Sequence, residues 1–368
     1  MKSDVFFADI RAKGEGENTG SKIERLFNRA GFGDLIGKGD ITAIKMHFGE
    51  MGGDSFVSPL HVRHVVDLVR GAGGIPFLTD TGTLYRGSRS NAATHLETAI
   101  RHGFDYVVVG APVIIADGLR GSNWREVPVK GKHFERVRIA ADILDASCMM
   151  VISHFKGHML AGFGGALKNL AMGCAPPAGK REQHTAKAFV HAERCLGCGM
   201  CVEFCPAGAA VLDGGVCRID RTRCLGCGDC MRACRENAIE FDWDVEIDPF
   251  LERMVEYACG AMTGKEGRVG FLNFLLNITP DCDCVPWSDA SIVPNIGILA
   301  SRDPVALDHA SYDLVNSSRG IGGTALLSGL SEGEDKFRGM WPHTNGLHQI
   351  EYAEEMRLGS ASYRLIEV

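Results

Sequence analysis

The chain has no run of apolar residues approaching the roughly 20 needed to cross a bilayer, so no membrane span is predicted. It has no basic excess either. Lys and Arg number 39 against 46 Asp and Glu, a net charge of −7, which gives no general attraction to nucleic acid or anionic lipid. The G-x-x-x-x-G-K-[ST] loop is missing, and no G-x-G-x-x-G follows a strand-like run. Those absences argue against a phosphate-loop ATPase and against the usual dinucleotide fingerprint. The opening MKSDVFFADI carries Asp4 and only a short apolar run, unlike a secretory signal, and a cytoplasmic protein is expected. At 45% hydrophobic and 23% charged residues the composition is that of a globular protein. A length of 368 residues suggests roughly two domains.

Scarcity ends at cysteine, of which there are 14. Disulfides do not persist in a reducing compartment, which leaves metal binding or thiol chemistry. Residues 195–206 read CLGCGMCVEFCP and residues 224–235 read CLGCGDCMRACR. Both follow C-x-x-C-x-x-C-x-x-x-C, and each cysteine of the first run has a counterpart in the second: Cys195 with Cys224, Cys198 with Cys227, Cys201 with Cys230, Cys205 with Cys234. Three thiolates on one tight loop can cap three corners of an iron–sulfur cube. The fourth lies too far along the chain for the same cube and serves the other one. Cys195, Cys198, Cys201 and Cys234 are therefore assigned to one [4Fe–4S] cluster, and Cys205, Cys224, Cys227 and Cys230 to a second. Structural zinc, with two separated C-x-x-C pairs, explains neither the third cysteine of each run nor the duplication.

Segment 189–242 resembles a bacterial-type two-cluster ferredoxin along its whole length, except that Arg235 replaces the proline that usually follows the last cysteine. Cys217 fits neither run and is expected to be a small buried residue. A module of about fifty residues has a poor core of its own, so the clusters should help to hold it folded.

The module interrupts a larger α/β pattern, giving 1–188 as the first part of an α/β domain, 189–242 as the insertion and 243–368 as the second part. Strand-like runs occur at 4–10, 41–48, 75–81, 106–115, 147–153, 268–278 and 295–301. Between them Ile23, Leu26, Phe27 and Ala30 mark one helical face, and Val62, Val65, Val66 and Val69 another. Ser58-Pro59 and Asp303-Pro304 are helix starts. Alternation of strand and helix predicts an α/β fold with a mostly parallel or mixed sheet and flanking helices. The second part should complete that sheet, with a separate C-terminal domain as the alternative.

HFKGHMLAGFGGALKNLAMG (154–173), the ferredoxin-like insertion and DCDCVPWSDASIVPNIGILASRDPVALDHAS (281–311) together resemble the family known as domain of unknown function 362, in its iron–sulfur form. The resemblance covers nearly the whole chain but implies little chemistry, so the residues have to supply it.

Ligands of α/β sheets bind beyond the carboxyl ends of strands. There stand Lys45 and His47, Asp80 and Thr81, and His154, Lys156 and His158. His47, Asp80, His154, Lys156 and His158 are the catalytic candidates, although each histidine could equally be structural. Gly162, Gly164 and Gly165 precede a helix carrying Lys168, a pattern that suits an anion or, equally, close packing. From 154 to 187 five Lys or Arg face one acid, Glu182. Cys282 and Cys284 alternate with Asp281 and Asp283, so an extended segment would put both thiols on one side. They could bind an additional metal ion, act as redox or nucleophilic thiols, or simply be two ordinary cysteines. Cys174 is expected to be inert.

Three functions follow. The first is an iron–sulfur oxidoreductase that takes electrons from a ferredoxin or reductase partner and acts on a small anionic ligand. The second is a non-catalytic electron carrier or redox sensor. The third is a metal-dependent, non-redox enzyme with a structural ferredoxin module.

Overall fold

A computed structural model describes residues 2–85, 87–184, 188–224, 229–241 and 243–368. Cys227, Lys187, Gly226 and Gly228 lie outside the described residues. The architecture is a mixed eight-stranded sheet with helices packed on it. Its strands are β1 (Ser3–Asp9), β2 (Ile41–Lys45), β3 (Ile75–Asp80), β4 (Val113–Ile115), β5 (Cys148–His154), β6 (Val269–Leu275), β7 (Gly297–Ser301) and β8 (Tyr363–Glu367). They lie in the order β8-β1-β7-β6-β5-β2-β3-β4. The strands from β6 through β4 are all parallel, and β7 runs antiparallel to both of its neighbours. Strands from both sides of the cysteine-rich segment thus share one sheet.

β5 sits centrally and every one of its seven residues is buried, which explains its unbroken apolar run: both faces are covered. Two helices show how the flanks are built. In α1 (Thr19–Arg29) Asn18 caps the start by accepting from the Ser21 N–H at 3.0 Å, and Ile23, Leu26 and Phe27 are buried. In α2 (Pro59–Gly71) Ser58 is the cap, Pro59 opens the helix, and Val62, Val65, Val66 and Val69 are all fully buried. Each such valine contributes at most roughly 1.5–3 kcal/mol.

The 106–115 run is not one strand. Tyr106–Val109 forms a helical turn capped by the Asp105 side chain, Gly110 turns the chain at φ +75°, and only Val113–Ile115 joins the sheet. Tyr106 and Val107 are exposed, so the apolar run does not mark a buried element there.

Chain direction creates the crevice. From β2 the chain proceeds outward to β3 and β4, then returns to the other side of β2 as β5 and continues to β6. The carboxyl ends of β2 and β5 therefore flank a topological switch point, the usual ligand position in such sheets.

The inserted segment has its own small framework. Ala188–Val190 pairs antiparallel with Ile239–Phe241, and Ala210–Asp213 with Val216–Ile219. The pair Val190↔Ile239 corresponds, under the same 29-residue shift that relates the cysteine runs, to Ile219↔Ala210. The sequence duplication is also a structural one. Among the described residues no helix is long and apolar enough to cross a membrane.

Candidate functional site

At the switch point the polar groups interlock. Lys45, at the end of β2, places Nζ 3.0 Å from Asp80 Oδ1 and donates to Asn169 Oδ1 at 2.7 Å. Asn169 belongs to α3 (Ala166–Cys174) and donates from Nδ2 to the Ile152 carbonyl at 2.9 Å, tying that helix to β5. Arg89 is 2% exposed and reaches Glu50 Oε2 at 3.1 Å, Asp80 Oδ2 at 3.4 Å and the Tyr85 hydroxyl. Burial alone would raise the Asp80 carboxyl, but Lys45, His47, His95 and Arg89 outweigh it and hold the group well below the usual carboxylate range.

A second knot forms around Asp283. Its Oδ1 lies 2.8 Å from His154 Nδ1 and accepts from Ser55 Oγ at 3.2 Å, while Lys156 Nζ stands 3.3 Å from Oδ2. His154 Nε2 faces the Leu276 and Asn277 carbonyls, each at 2.9 Å. His154 and Lys156 are thus committed to bonds beneath the crevice rather than facing into it.

The crevice is a cavity of about 390 Å³. Its wall includes His47, Asp80, His158 and Lys168 from the predicted set, together with Cys282 and Cys284. Apolar surface comes from Met159, Leu160, Met172, Trp287 and Trp341. Such a lining, apolar with a few convergent polar groups, is the usual make-up of a small-molecule site. His158 accepts at Nδ1 from the N–H groups of Leu160 at 3.1 Å and Ala161 at 3.0 Å. Burial, helped by Lys168, pushes its basicity well below the ordinary histidine value, and burial does the same to His47.

Arg89, Tyr85 and Lys180 are among the cavity residues that sequence reasoning missed. Lys180 donates to Thr81 Oγ at 2.5 Å and to the Ala175 carbonyl at 2.7 Å. Burial pushes its ammonium down to about 8 against the pull of Asp117 and Asp80. Asp117 is itself pushed up to about 6 by burial. The only sequence signal for Lys180 was its place in the basic stretch; Arg89 sits in a loop without periodicity.

The glycine ribbon resolves toward packing. Gly162–Gly164 pairs as a strand with Lys156–His158, so His154 and His158 do not share a helical face. The N-terminus of α3 is already supplied with an anion: Asp308 accepts from Ala166 N at 2.7 Å and from Leu167 N at 2.9 Å. A Cβ on Gly165 would lie 2.3 Å from Asp308 Oδ1. Gly162 lets the Gly346 backbone approach, Gly164 the Lys168 side chain and Gly165 the Asp308 carboxylate, whereas Lys168 does face the cavity.

The DCDC stretch is a turn rather than an extended segment, closed by the Val285 N–H to the Cys282 carbonyl at 3.1 Å. Both thiols line the cavity, but so does Asp281; only Asp283 turns away. Lysine, not histidine, comes to Cys282, with Lys168 Nζ 3.5 Å from its sulfur. Cys174 is buried, and burial pushes its thiol up to about 11, which keeps it inert.

In the inserted segment Cys195, Cys198, Cys201 and Cys234 line one small cavity, the fourth coming from the second run. Cys205, Cys224 and Cys230 belong with Cys195, Cys201 and Cys234 to a compact core that also contains Cys217, while Cys198 is exposed. Backbone N–H groups point at sulfur: Ala209 to Cys205 at 3.1 Å, Ala238 to Cys234 at 3.3 Å, Cys217 to Cys195 at 3.3 Å. Gly197 is left-handed at φ +64°, and a Cβ there would lie 2.3 Å from the Gly215 carbonyl oxygen. A thiol-lined cavity with N–H donors aimed at sulfur suits an iron–sulfur cluster. Among the described residues no three His, Cys, Asp or Glu side chains gather around a single metal-ion position.

Residues 42–313 match the family described as Domain of unknown function (DUF362). The chain belongs to that family. No curated relative of established activity matches this DUF362 member. Among solved structures it is similar to the lactate racemase apoprotein from Thermoanaerobacterium thermosaccharolyticum, at 13% identity and a TM-score of 0.40 over 75% of this chain and 51% of that one. It is also similar to a Thermotoga maritima protein, at 9% identity and a TM-score of 0.35 over 72% of this chain and 52% of that one. The chain thus spans about half the length of each.

Proposed function

We propose that this DUF362 protein is an iron–sulfur oxidoreductase acting on a small anionic ligand in the switch-point crevice. Cys195, Cys198, Cys201 and Cys234 would hold one [4Fe–4S] cluster, and Cys205, Cys224, Cys227 and Cys230 the other. The clusters, when bound, supply single-electron transfer, with an outside ferredoxin or reductase as partner. A reducing cytoplasmic setting suits so many free thiols.

One observation carries the reading. Met231, next in sequence to Cys230, forms part of the wall of the same cavity that holds Lys168, Cys282 and Asp80. Cysteine-rich segment and crevice therefore adjoin. Within the crevice Lys168 supplies positive charge to a carboxylate or phosphate, the tryptophans exclude water from its apolar body, and neutral His158 presents its Nε2–H as a hydrogen-bond donor, since Nδ1 is an acceptor.

Anaerobic purification with iron and sulfide analysis tests this directly: about eight iron per chain is expected for two cubes. Small carboxylates and phosphates should then perturb the spectrum of the reduced protein, and Lys168→Ala should abolish the perturbation. A colourless, iron-poor protein overturns the proposal. Eight iron with no response to any anion leaves the electron-carrier alternative.

A further inference from the structure

The turn from Cys282 to Val285 is held more firmly than an ordinary surface loop. Its closing hydrogen bond is the 3.1 Å one from Val285 N, and the Asp283 carbonyl accepts from Glu50 N at 2.8 Å. The Asp283 side chain, 2% exposed, is fixed by His154, Ser55 and Lys156. These bonds leave the flanking residues, Cys282 and Cys284, both on the cavity wall, each thiol perturbing the ionisation of the other. Among the described residues Lys168 forms no ion pair with a carboxylate, and its ammonium points at Cys282 sulfur. Two thiols two residues apart, one beside a cation, facing a ligand-sized cavity, make an arrangement for which packing gives no reason.

We propose that Cys282 and Cys284 are a dithiol–disulfide couple that exchanges with a small anionic organic thiol or its disulfide bound in the crevice. Cys282 is the attacking sulfur. Its thiolate displaces one thiolate from R–S–S–R, breaking that S–S bond and forming a Cys282–S–S–R mixed disulfide. Cys284 then gives up its proton and attacks the Cys282 sulfur, releasing the second thiolate. The two leaving thiolates take up the two protons lost by the pair. The protein dithiol is oxidised by two electrons and R–S–S–R is reduced to two R–SH, so the balance closes. A reduced one-electron carrier of the ferredoxin class, acting twice with two protons, restores the dithiol; dithiothreitol does so in vitro. Lys168 favours the thiolate and therefore the reduced pair, so the oxidised pair is readily reset. Lys168 and the two tryptophans of the wall select an anionic, partly apolar substrate.

This couple goes beyond the iron–sulfur reading and needs only the crevice. The test uses the full chain, purified anaerobically, with 5,5′-dithiobis(2-nitrobenzoate) as the anionic disulfide and 2,2′-dithiodipyridine as the neutral one. One equivalent of the anionic reagent should leave the peptide carrying Cys282 and Cys284 lighter by a pair of hydrogens, reversibly with dithiothreitol. Cys284→Ser should instead trap thionitrobenzoate on Cys282. Lys168→Ala should slow the anionic reagent about tenfold and erase its advantage over the neutral one. Failure of wild-type Cys282 and Cys284 to form the bridge, or reaction confined to cysteines 195–234, overturns the proposal. So does absence of an adduct on Cys282 in a folded Cys284→Ser protein. Iron content measured on the same samples separates the two readings: iron-loaded protein with an inert pair sinks only the couple, and iron-free protein with a reactive pair sinks only the cluster assignment.

Discussion

Lys45 and Asp80 form an ion pair whose charged atoms stand 3.0 Å apart, with side chains 0% and 4% exposed. Removing Lys45 leaves the buried Asp80 carboxylate with only the more distant Arg89 guanidinium, at 3.4 Å, as a charged partner. Lys45→Met is expected to cost about 3–5 kcal/mol, read from urea unfolding. Lys45→Arg would recover part of it.

Acid should unfold the crevice before the surface. Asp80 and Asp283 are both held below the ordinary carboxylate range, burial opposing and the neighbouring cations prevailing. Between a depressed folded value and the unfolded one of about 3.9, the unfolded chain binds more protons, so stability falls as pH falls. The contribution is fully present above about pH 5 and fades below it. Melting temperature against pH should show that slope, and Asp283→Asn should flatten it.

The opposite sign applies at Asp308, whose carboxyl burial pushes up to about 6. Its folded form holds a proton that the unfolded chain has already lost, so its stabilising share declines as pH rises from about 4 to 6. Asp308→Ala also deprives the Ala166 and Leu167 N–H groups and the Asn273 amide of an acceptor. A loss of about 2–3 kcal/mol near pH 5 is expected, measured by denaturant titration.

Gly197→Ala tests the cysteine-rich segment. Left-handed backbone and the Gly215 carbonyl both oppose a side chain there, and the strain should displace the loop that carries Cys195 and Cys198. Iron retained after anaerobic gel filtration should drop at least about twofold, while Gly14→Ala, with open space around it, should change nothing.

Much of this was legible in the sequence where periodicity and burial coincide. Val62, Val65, Val66 and Val69 announced a buried helix face, and the unbroken apolar run of β5 announced a central strand. The run at 106–115 misled because Asp105 and Gly110, residues of caps and turns, were read as bystanders of an apolar stretch. At the site, strand-end residues such as His47 and Asp80 could be placed because topology brings strand ends together. Arg89 and Lys180 could not. They reach the crevice from a loop and from a short helix, and only the tertiary fold tells which long basic side chain folds inward. Asp308 was hidden for the same reason: its partners at the start of α3 lie more than a hundred residues away.

Because Ala188 and Phe241 stand opposite each other in an antiparallel ladder, the segment between them leaves and rejoins the body at a single spot. It hangs from a two-stranded stem, and all eight long-sheet strands lie outside it. A graft of that kind can be excised or exchanged by joining two adjacent chain ends, with no strand rerouted. The cysteine-rich segment and the sheet that carries the crevice are thus separable pieces of architecture that a designer could recombine.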